Sequence, residues 1–314
     1  MASYILESIA TDSNFDEVAY LAANPDVAKA VKQGQMESGR IHFEAFGKNE
    51  GRKIRFSSSI ISEAKQRKLE KIKPLIRKDI PCIETPNCFD FLSEELRLKF
   101  NIVDTDAVGS HNYDGYTMQL INQNEDGLVL DCGAGRRPVY FDNVVNFEIV
   151  DYETTDVRGV GEVLPFNDES FDAVLSLSVL EHVKDPFLCA KEIARVLKKG
   201  GSLICCVPFL QPAHGYPHHY YNMTSQGLEN LFVDFLNIDK VVVYEGISPI
   251  WSLTWILRSW AEGLNGKTKD DFMNLRVSDL METPLKYLKM PFVKELSEEK
   301  NFELASATML FAHK

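Results

Sequence analysis

The sequence predicts an α/β protein with a doubly wound, mostly parallel sheet, and three observations carry that prediction. From residue 128 onward the apolar runs "GLVLDC", "NFEIVD", "FDAVLSLS" and "GSLICCVPF" alternate with segments of helical period, the order of parallel strands joined by crossovers. Between the last two, "PFLCAKEIARVLKKGG" reads as a crossover helix: two lysines meet its negative C-terminal pole, and Gly200 and Gly201 end it. The first run leads into "LVLDCGAGRRP", residues 128–138, where Asp131 is followed by Gly133 and Gly135. Such a turn lets backbone approach a ligand closely at the C-terminal edge of the sheet.

The chain has 314 residues, ample for one large α/β domain and a smaller appendage, and a formal charge of −12 at pH 7. That charge argues against broad capture of nucleic acid or anionic membrane, although a local basic patch around Lys65 to Lys78 stays open. The start "MASYILESIATDSNF" lacks a basic region followed by a long apolar run, and no stretch reaches the roughly 18 apolar residues of a membrane span. The expectation is a cytoplasmic protein without stable membrane insertion or a nucleic-acid partner. The 6 cysteines are scattered, and Cys205 and Cys206 sit inside an apolar strand, which fits reduced core thiols better than a disulfide framework. Cys82 and Cys88 are too loosely paired to indicate a structural metal.

Three parts follow in order along the chain: residues 1–54, 55–124 and 125–314. Residues 14–52 carry apolar residues at helical spacing, a start signal at Asn24 and Pro25, and glycine stops at Gly34, Gly47 and Gly51, which predicts two or three short helices. The link "SEAKQRKLEKIKPLIRKDIP" reads as helical up to Pro81, with interspersed charges that suit a solvated face. After the parallel strands, "DKVVVYEG" and the terminal "ELASATMLFAHK" read as two more strands, with a mostly helical insertion over 247–300 between them.

The glycine loop does not fit a dinucleotide well. Pro138 stands where a dinucleotide fingerprint wants glycine or alanine, and Arg136 and Arg137 are bulky. S-adenosyl-L-methionine has no phosphate and carries a sulfonium and an ammonium, which suit Asp131 at the mouth of the loop.

"LDCGAGRRP", "EIVDY", "LPFNDESFDAVLSLSVLEHVKDP" and "EIARVLKKGGSLICCVPF" together resemble the class I S-adenosylmethionine-dependent methyltransferases of the small-molecule type-11 branch, over roughly residues 125–245. The resemblance implies a Rossmann-like, seven-stranded sheet whose last strand is antiparallel, a role the terminal "ELASATMLFAHK" would fill. It implies a cofactor loop of Asp131, Gly133 and Gly135, and a carboxylate, Asp151, on the ribose hydroxyls. Tyr152 would pack on the adenine, and Leu164 marks the next cofactor loop. Val160 stands where the family often has an acid touching the adenine amino group, so Glu162 or a backbone carbonyl would substitute. "SLSVLEHVKDP" places Ser178, Glu181 and His182 beside the methyl group; for His182 a structural role and a catalytic one are both open.

The segment "VPFLQPAHGYPHHYYNMTSQGL", residues 207–228, is similar to a subgroup whose loop reads roughly "PFxxxxHxxPxDYYRFT" and faces the acceptor. This chain has His219 where that subgroup has aspartate, and Asn222 and Met223 where it has arginine and phenylalanine. His219, Tyr220 and Tyr221 are the substrate-contact candidates. Histidines this dense also suit zinc, but no acidic or cysteine ligand pattern sits near them in the sequence, so no metal is assigned. Methyl transfer from a sulfonium relies chiefly on alignment. For a hydroxyl acceptor, His214 or His218 could take the proton near neutral pH.

"IWSLTWILRSWAEGL" presents Trp251, Trp255 and Trp260 on an apolar face that suits core packing, a lid or a membrane surface. "VGSHNYDGY", residues 108–116, lies where it could close over the cofactor. The N-terminal "YLAANPDV…FGKNEGR" resembles a small helical module attached to bacterial methyltransferases and glycosyltransferases of surface-glycan pathways. The expected activity is O-methylation of a small molecule or glycan intermediate. An NAD-dependent oxidoreductase and a non-catalytic binding protein on the same fold are the alternatives; the protein partner of the N-terminal module is unknown.

Overall fold

The computed structural model of the chain describes residues 1–105, 109, 111–215 and 218–313. Near the N-terminus, β1 (Ser3–Ile5), β2 (Glu7–Ile9) and β3 (Lys53–Arg55) bracket short helices. Asp16 caps the Glu17–Ala23 helix by accepting the Ala19 amide, and the next helix begins at Pro25, as the Asn-Pro pair predicts. Tyr20, Val27, Phe43 and Ile54 form the small core of this region.

The charged link forms an α-helix over Ser62–Ile72, and its solvated face, with Glu63, Arg67, Glu70 and Lys71, covers only one side. Lys65 and Lys68 are buried: Lys65 donates to the Glu153 carbonyl at 2.8 Å, and Lys68 reaches Asp156 at 3.0 Å. Their alkyl stems cover apolar surface while the ammonium groups find partners inside, which a reading of charge spacing alone misses.

Next come β4 (Ile83–Glu84), β5 (Phe89–Asp90), β6 (Val129–Cys132), β7 (Val139–Phe141), β8 (Val144–Glu148), β9 (Val157–Arg158), β10 (Phe171–Leu177) and β11 (Leu197–Cys206). The main sheet is 7-stranded in the order β11-β10-β6-β8-β9-β5-β4, parallel throughout except for the β4–β5 pair. β2 pairs with β3, and β1 pairs with β7, tying the N-terminal region to the larger domain through hydrogen bonds.

Both faces of the sheet are covered, so its central strands are apolar on both sides. Leu130, Val145 and Val174 pack with Ile193 and Val196 of the crossover helix Pro186–Val196; Val129, Val144 and Leu175 pack with Leu120 and Ile121 of the helix Gly115–Gln123.

Two expected strands are absent among the described residues. Residues 239–246 and 303–313 form no ladder, so the antiparallel strand is β4 at the far edge rather than the C-terminal segment; Lys314 lies outside the described residues. Val243 is 71% and Leu310 88% exposed. Both segments have β-prone side chains, but composition alone does not make a ladder, and neither segment pairs with the open edge of β11. The insertion is helical as expected, at Pro249–Glu262, Gly266–Met273 and Glu298–Glu303, and it precedes an irregular tail rather than a last strand.

No described helix is long and apolar enough to cross a membrane.

Candidate functional site

The glycine loop follows β6 directly. Gly133 and Gly135 hold φ of +84° and +62°, conformations that disfavour any side chain. A Cβ on Gly133 would collide with Val179, and one on Gly135 would come within 2.8 Å of the Gly109 carbonyl. Space above the loop is therefore set for backbone alone.

Asp131 is fully buried, and one of its oxygens is spoken for. Oδ2 accepts from Arg137 Nε at 2.8 Å and from Tyr113 OH at 2.5 Å, while Oδ1 has no partner. Arg137 also donates to the His111 carbonyl, and Arg136 N donates to the Gly109 carbonyl at 2.7 Å. Gly109, His111 and Tyr113 are thus tied to the glycine loop and its flank; of the expected cover, Val108 and Ser110 lie outside the described residues.

The link from Gly133 to Asn143 contains β7 and no helix. A pyrophosphate seat is made by a helix N-terminus after such a loop, so the dinucleotide alternative lacks its main binding element. Pro138 instead offers its carbonyl to the amides of Leu6 and Glu7.

The acid at the strand end is Glu148, a residue the sequence reading missed. β8 stops there, and Asp151 lies exposed three residues later. Glu148 accepts the Gly135 amide at 2.8 Å and the Ile149 amide at 2.7 Å, which places the carboxylate against the glycine loop. Burial pushes its carboxyl up, against the pull of those amides. The signal was present in "NFEIVDY", where two acids compete and only the ladder shows which ends the strand. Tyr152 is half-buried in the following loop, its phenol pushed up to about 12 by burial.

Glu162 and Leu164 serve the frame. Glu162 is 3% exposed and accepts the amides of Lys184 and Asp185, at 3.2 and 3.4 Å. Leu164 has its side chain in the core and its amide on Glu192. Val160 packs with Leu92 and Phe100.

The ends of β10 and β11 bring the histidines together. Ser178 follows β10 with φ +56°, exposed, its amide on the Cys206 carbonyl at 2.9 Å. Such strain in a non-glycine residue is typical of functional turns. His182, His214 and His219 then converge, with ring centroids 4.4 to 5.5 Å apart. His182 Nδ1 faces the His218 carbonyl at 2.7 Å and His214 Nδ1 faces the Pro212 carbonyl at 2.8 Å. A carbonyl can only accept, so both Nδ1 atoms carry the proton and both Nε2 atoms keep a lone pair. Burial lowers the pKa of both histidines below the usual value, which keeps them neutral at pH 7. Glu181 is fully buried with neither carboxylate oxygen bonded, and burial pushes its carboxyl up to about 8.

His218 is not part of this group. Its Nε2 lies 2.9 Å from the Asn101 carbonyl, so the ring turns away from the other three. Tyr220 and Tyr221 use their amides on the Glu181 carbonyl, and their hydroxyls meet Asn101 and Lys184. They brace the loop; Tyr216 and Pro217, within it, lie outside the described residues.

A cleft of about 1890 Å³ opens beside the group, bordered by Ser178, Cys206, Val242, Trp251 and Trp255. Trp255 lies 5.1 Å from the His214 ring, while Trp260 stacks on Phe272 inside the insertion. The tryptophan stripe therefore divides between cleft wall and core.

Residues 132–205 match the family described as "Methyltransferase domain". An uncharacterized protein of Methanocaldococcus jannaschii is 36% identical over 86 residues, 25% of this chain and 42% of that one. An uncharacterized methyltransferase of Schizosaccharomyces pombe is 42% identical over 71 residues, 22% of this chain and 26% of that one. The chain thus spans under half the length of either relative. The solved structure of an S-adenosylmethionine-dependent methyltransferase, possible histamine N-methyltransferase, from Thermotoga maritima is 21% identical, with a TM-score of 0.27 over 36% of this chain and 66% of that one. The segment from Cys132 to Cys205, which holds the glycine loop, β8, β10 and most of β11, is thus the part of the chain that is similar to a methyltransferase domain.

Proposed function

We propose that this chain methylates an oxygen of a small molecule or glycan intermediate, with S-adenosylmethionine as methyl donor. One observation carries the reading. The glycine loop after β6, Glu148 at the end of β8, Ser178 after β10 and the neutral histidines all sit on the C-terminal edge of adjacent strands, where open α/β sheets bind ligands.

The residues present fit the cofactor. The unpartnered Asp131 Oδ1 offers an acceptor to an ammonium group, Glu148 offers one to ribose hydroxyls, and Gly133 and Gly135 hold the left-handed turn between them. When bound, S-adenosylmethionine supplies an electrophilic methyl group on a cationic sulfur. The chain's own part is to align the acceptor in the cleft and exclude water behind Trp255. His214 Nε2, neutral and free to accept, is placed to receive a hydroxyl proton, and His182 Nε2 is its alternate. Resemblance of the N-terminal region to modules of glycan-pathway enzymes supports a glycan acceptor.

The test is transfer of labelled methyl from S-adenosylmethionine to a panel of sugar nucleotides, lipid-linked glycans and small alcohols, with amines alongside. Label on a hydroxyl supports the reading. Label confined to amines, or cofactor binding with no transfer to any acceptor, would overturn the choice of oxygen or favour a binding protein.

A further inference from the structure

We propose that Glu181, His182 and His214 form a binding site for one divalent first-row transition-metal ion. One carboxylate oxygen and one nitrogen from each histidine lie within 4.8 Å of one another. Two independent observations point to a ligand there.

The first is the carboxylate. Glu181 is fully buried and neither of its oxygens has a hydrogen-bond partner; the nearer one is 3.7 Å from His182 Nε2. Buried acceptors are ordinarily satisfied, so an orphaned carboxylate aimed at two imidazoles marks a place where something positive is missing. The second is the outer shell. Each imidazole gives its Nδ1 proton to a main-chain carbonyl, His182 to His218 and His214 to Pro212, which fixes the ring and leaves Nε2 as donor. Ligating histidines are held in this way.

His219 stands beside the site without entering it. Its Nδ1 is engaged by the His214 main chain, 2.9 Å from the amide and 3.0 Å from the carbonyl, and its Nε2 donates to Asn222 Oδ1. It has no lone pair left to give. A Cβ on Gly215, which holds φ +81°, would strike the His182 ring, so only glycine lets the chain pass there.

Two imidazoles and one carboxylate suit zinc(II), iron(II) or cobalt(II), whereas magnesium and calcium prefer oxygen shells. Ligands on a tetrahedral zinc ion at the usual bond lengths stand about 3.4 Å apart, close to the 3.7 Å between Glu181 and His182 Nε2, so loading asks only small side-chain movements. The sequence hid this set because its acid lies on the other side of β11 from His214 in the chain.

An Nε2 bound to an ion takes no proton. With the ion in place, its charge would acidify an acceptor hydroxyl coordinated to it, and that proton would leave to water. This last step rests on the proposed function; ion binding does not.

The experiment is titration of the chelator-stripped full-length chain with cobalt(II), followed by zinc(II) competition, with S-adenosylmethionine calorimetry on each sample. The expected result is one equivalent of cobalt with visible absorption bands, displaced by zinc. Glu181→Gln and His214→Ala should each weaken it at least about 10- to 100-fold, the range that even outer-shell changes produce; exposed His313→Ala should not. Absence of saturable cobalt binding by the wild type, or equal binding by both ligand variants, would overturn the site. X-ray absorption of the zinc-loaded wild type decides the matter even if the variants misfold: imidazole scattering supports the site, and an all-oxygen shell refutes it. Cofactor binding without metal removes this proposal and leaves the proposed function standing; metal binding without cofactor does the reverse.

Discussion

His219 Nε2 donates to Asn222 Oδ1 at 2.9 Å, joining two of the three positions at which the 207–228 loop departs from the pattern it resembles. These two departures are one linked change: a histidine–asparagine pair stands where that pattern has aspartate and arginine. Asn222 Nδ2 also donates to the Gln211 carbonyl, and His219 receives the His214 amide, so the pair clips the loop shut around His214.

A double-mutant cycle on His219→Ala and Asn222→Ala should therefore return a coupling energy of about 0.5–3 kcal/mol in denaturant unfolding. Additive effects would show that the two side chains act separately.

Gly133→Ala should abolish cofactor binding and cost about 1–3 kcal/mol of stability, because the new methyl meets Val179 and the residue must keep a positive φ. Calorimetry and thermal melting measure the two effects. A variant with full cofactor affinity would mean the loop is not the binding element.

Behind the sheet, Lys68, Asp156 and Tyr140 form a buried network: Lys68 Nζ is 3.0 Å from Asp156 Oδ2, Tyr140 OH is 2.5 Å from Oδ1, and the ammonium stacks on the tyrosine ring. Asp156→Ala should cost about 3–5 kcal/mol, the usual result of orphaning a buried charge. Urea midpoints test it.

Burial also pulls the Lys68 ammonium down to about 8 from 10.5. Between those values the unfolded chain holds the proton that the folded chain has released, so this group's contribution to stability rises with pH across that window. The stability of wild type relative to Lys68→Met should climb from pH 8 to pH 10; a falling difference would contradict the assigned direction.

How much of this was legible in the sequence depended on what fixes each feature. β6, β8, β10 and the apolar half of β11 were visible because parallel strands are continuous apolar runs, and the crossover helix because of its period; the glycine stop misled, since the helix ends at Val196 and Lys198 to Gly201 belong to β11. β4 and β5 are pairs of residues, Ile83–Glu84 and Phe89–Asp90, too short to show any period. "DKVVVYEG" had the composition of a strand but does not pair with the open edge of β11. The glycine loop and the histidines announced themselves by residue type. Glu148 did not, since choosing it over Asp151 requires knowing where the β8 ladder ends, and Arg137's hold on Asp131 requires the loop's three-dimensional path.

The most direct test of the account is calorimetric titration of the full-length chain with S-adenosylmethionine, comparing wild type, Glu148→Gln and Asp151→Asn. The predicted result is saturable binding by wild type, unchanged in Asp151→Asn and weakened at least about tenfold in Glu148→Gln, as loss of a charged hydrogen bond worth about 1.5–3 kcal/mol requires. No binding by the folded wild type would contradict the cofactor site altogether. Loss in Asp151→Asn with Glu148→Gln unaffected would contradict its geometry.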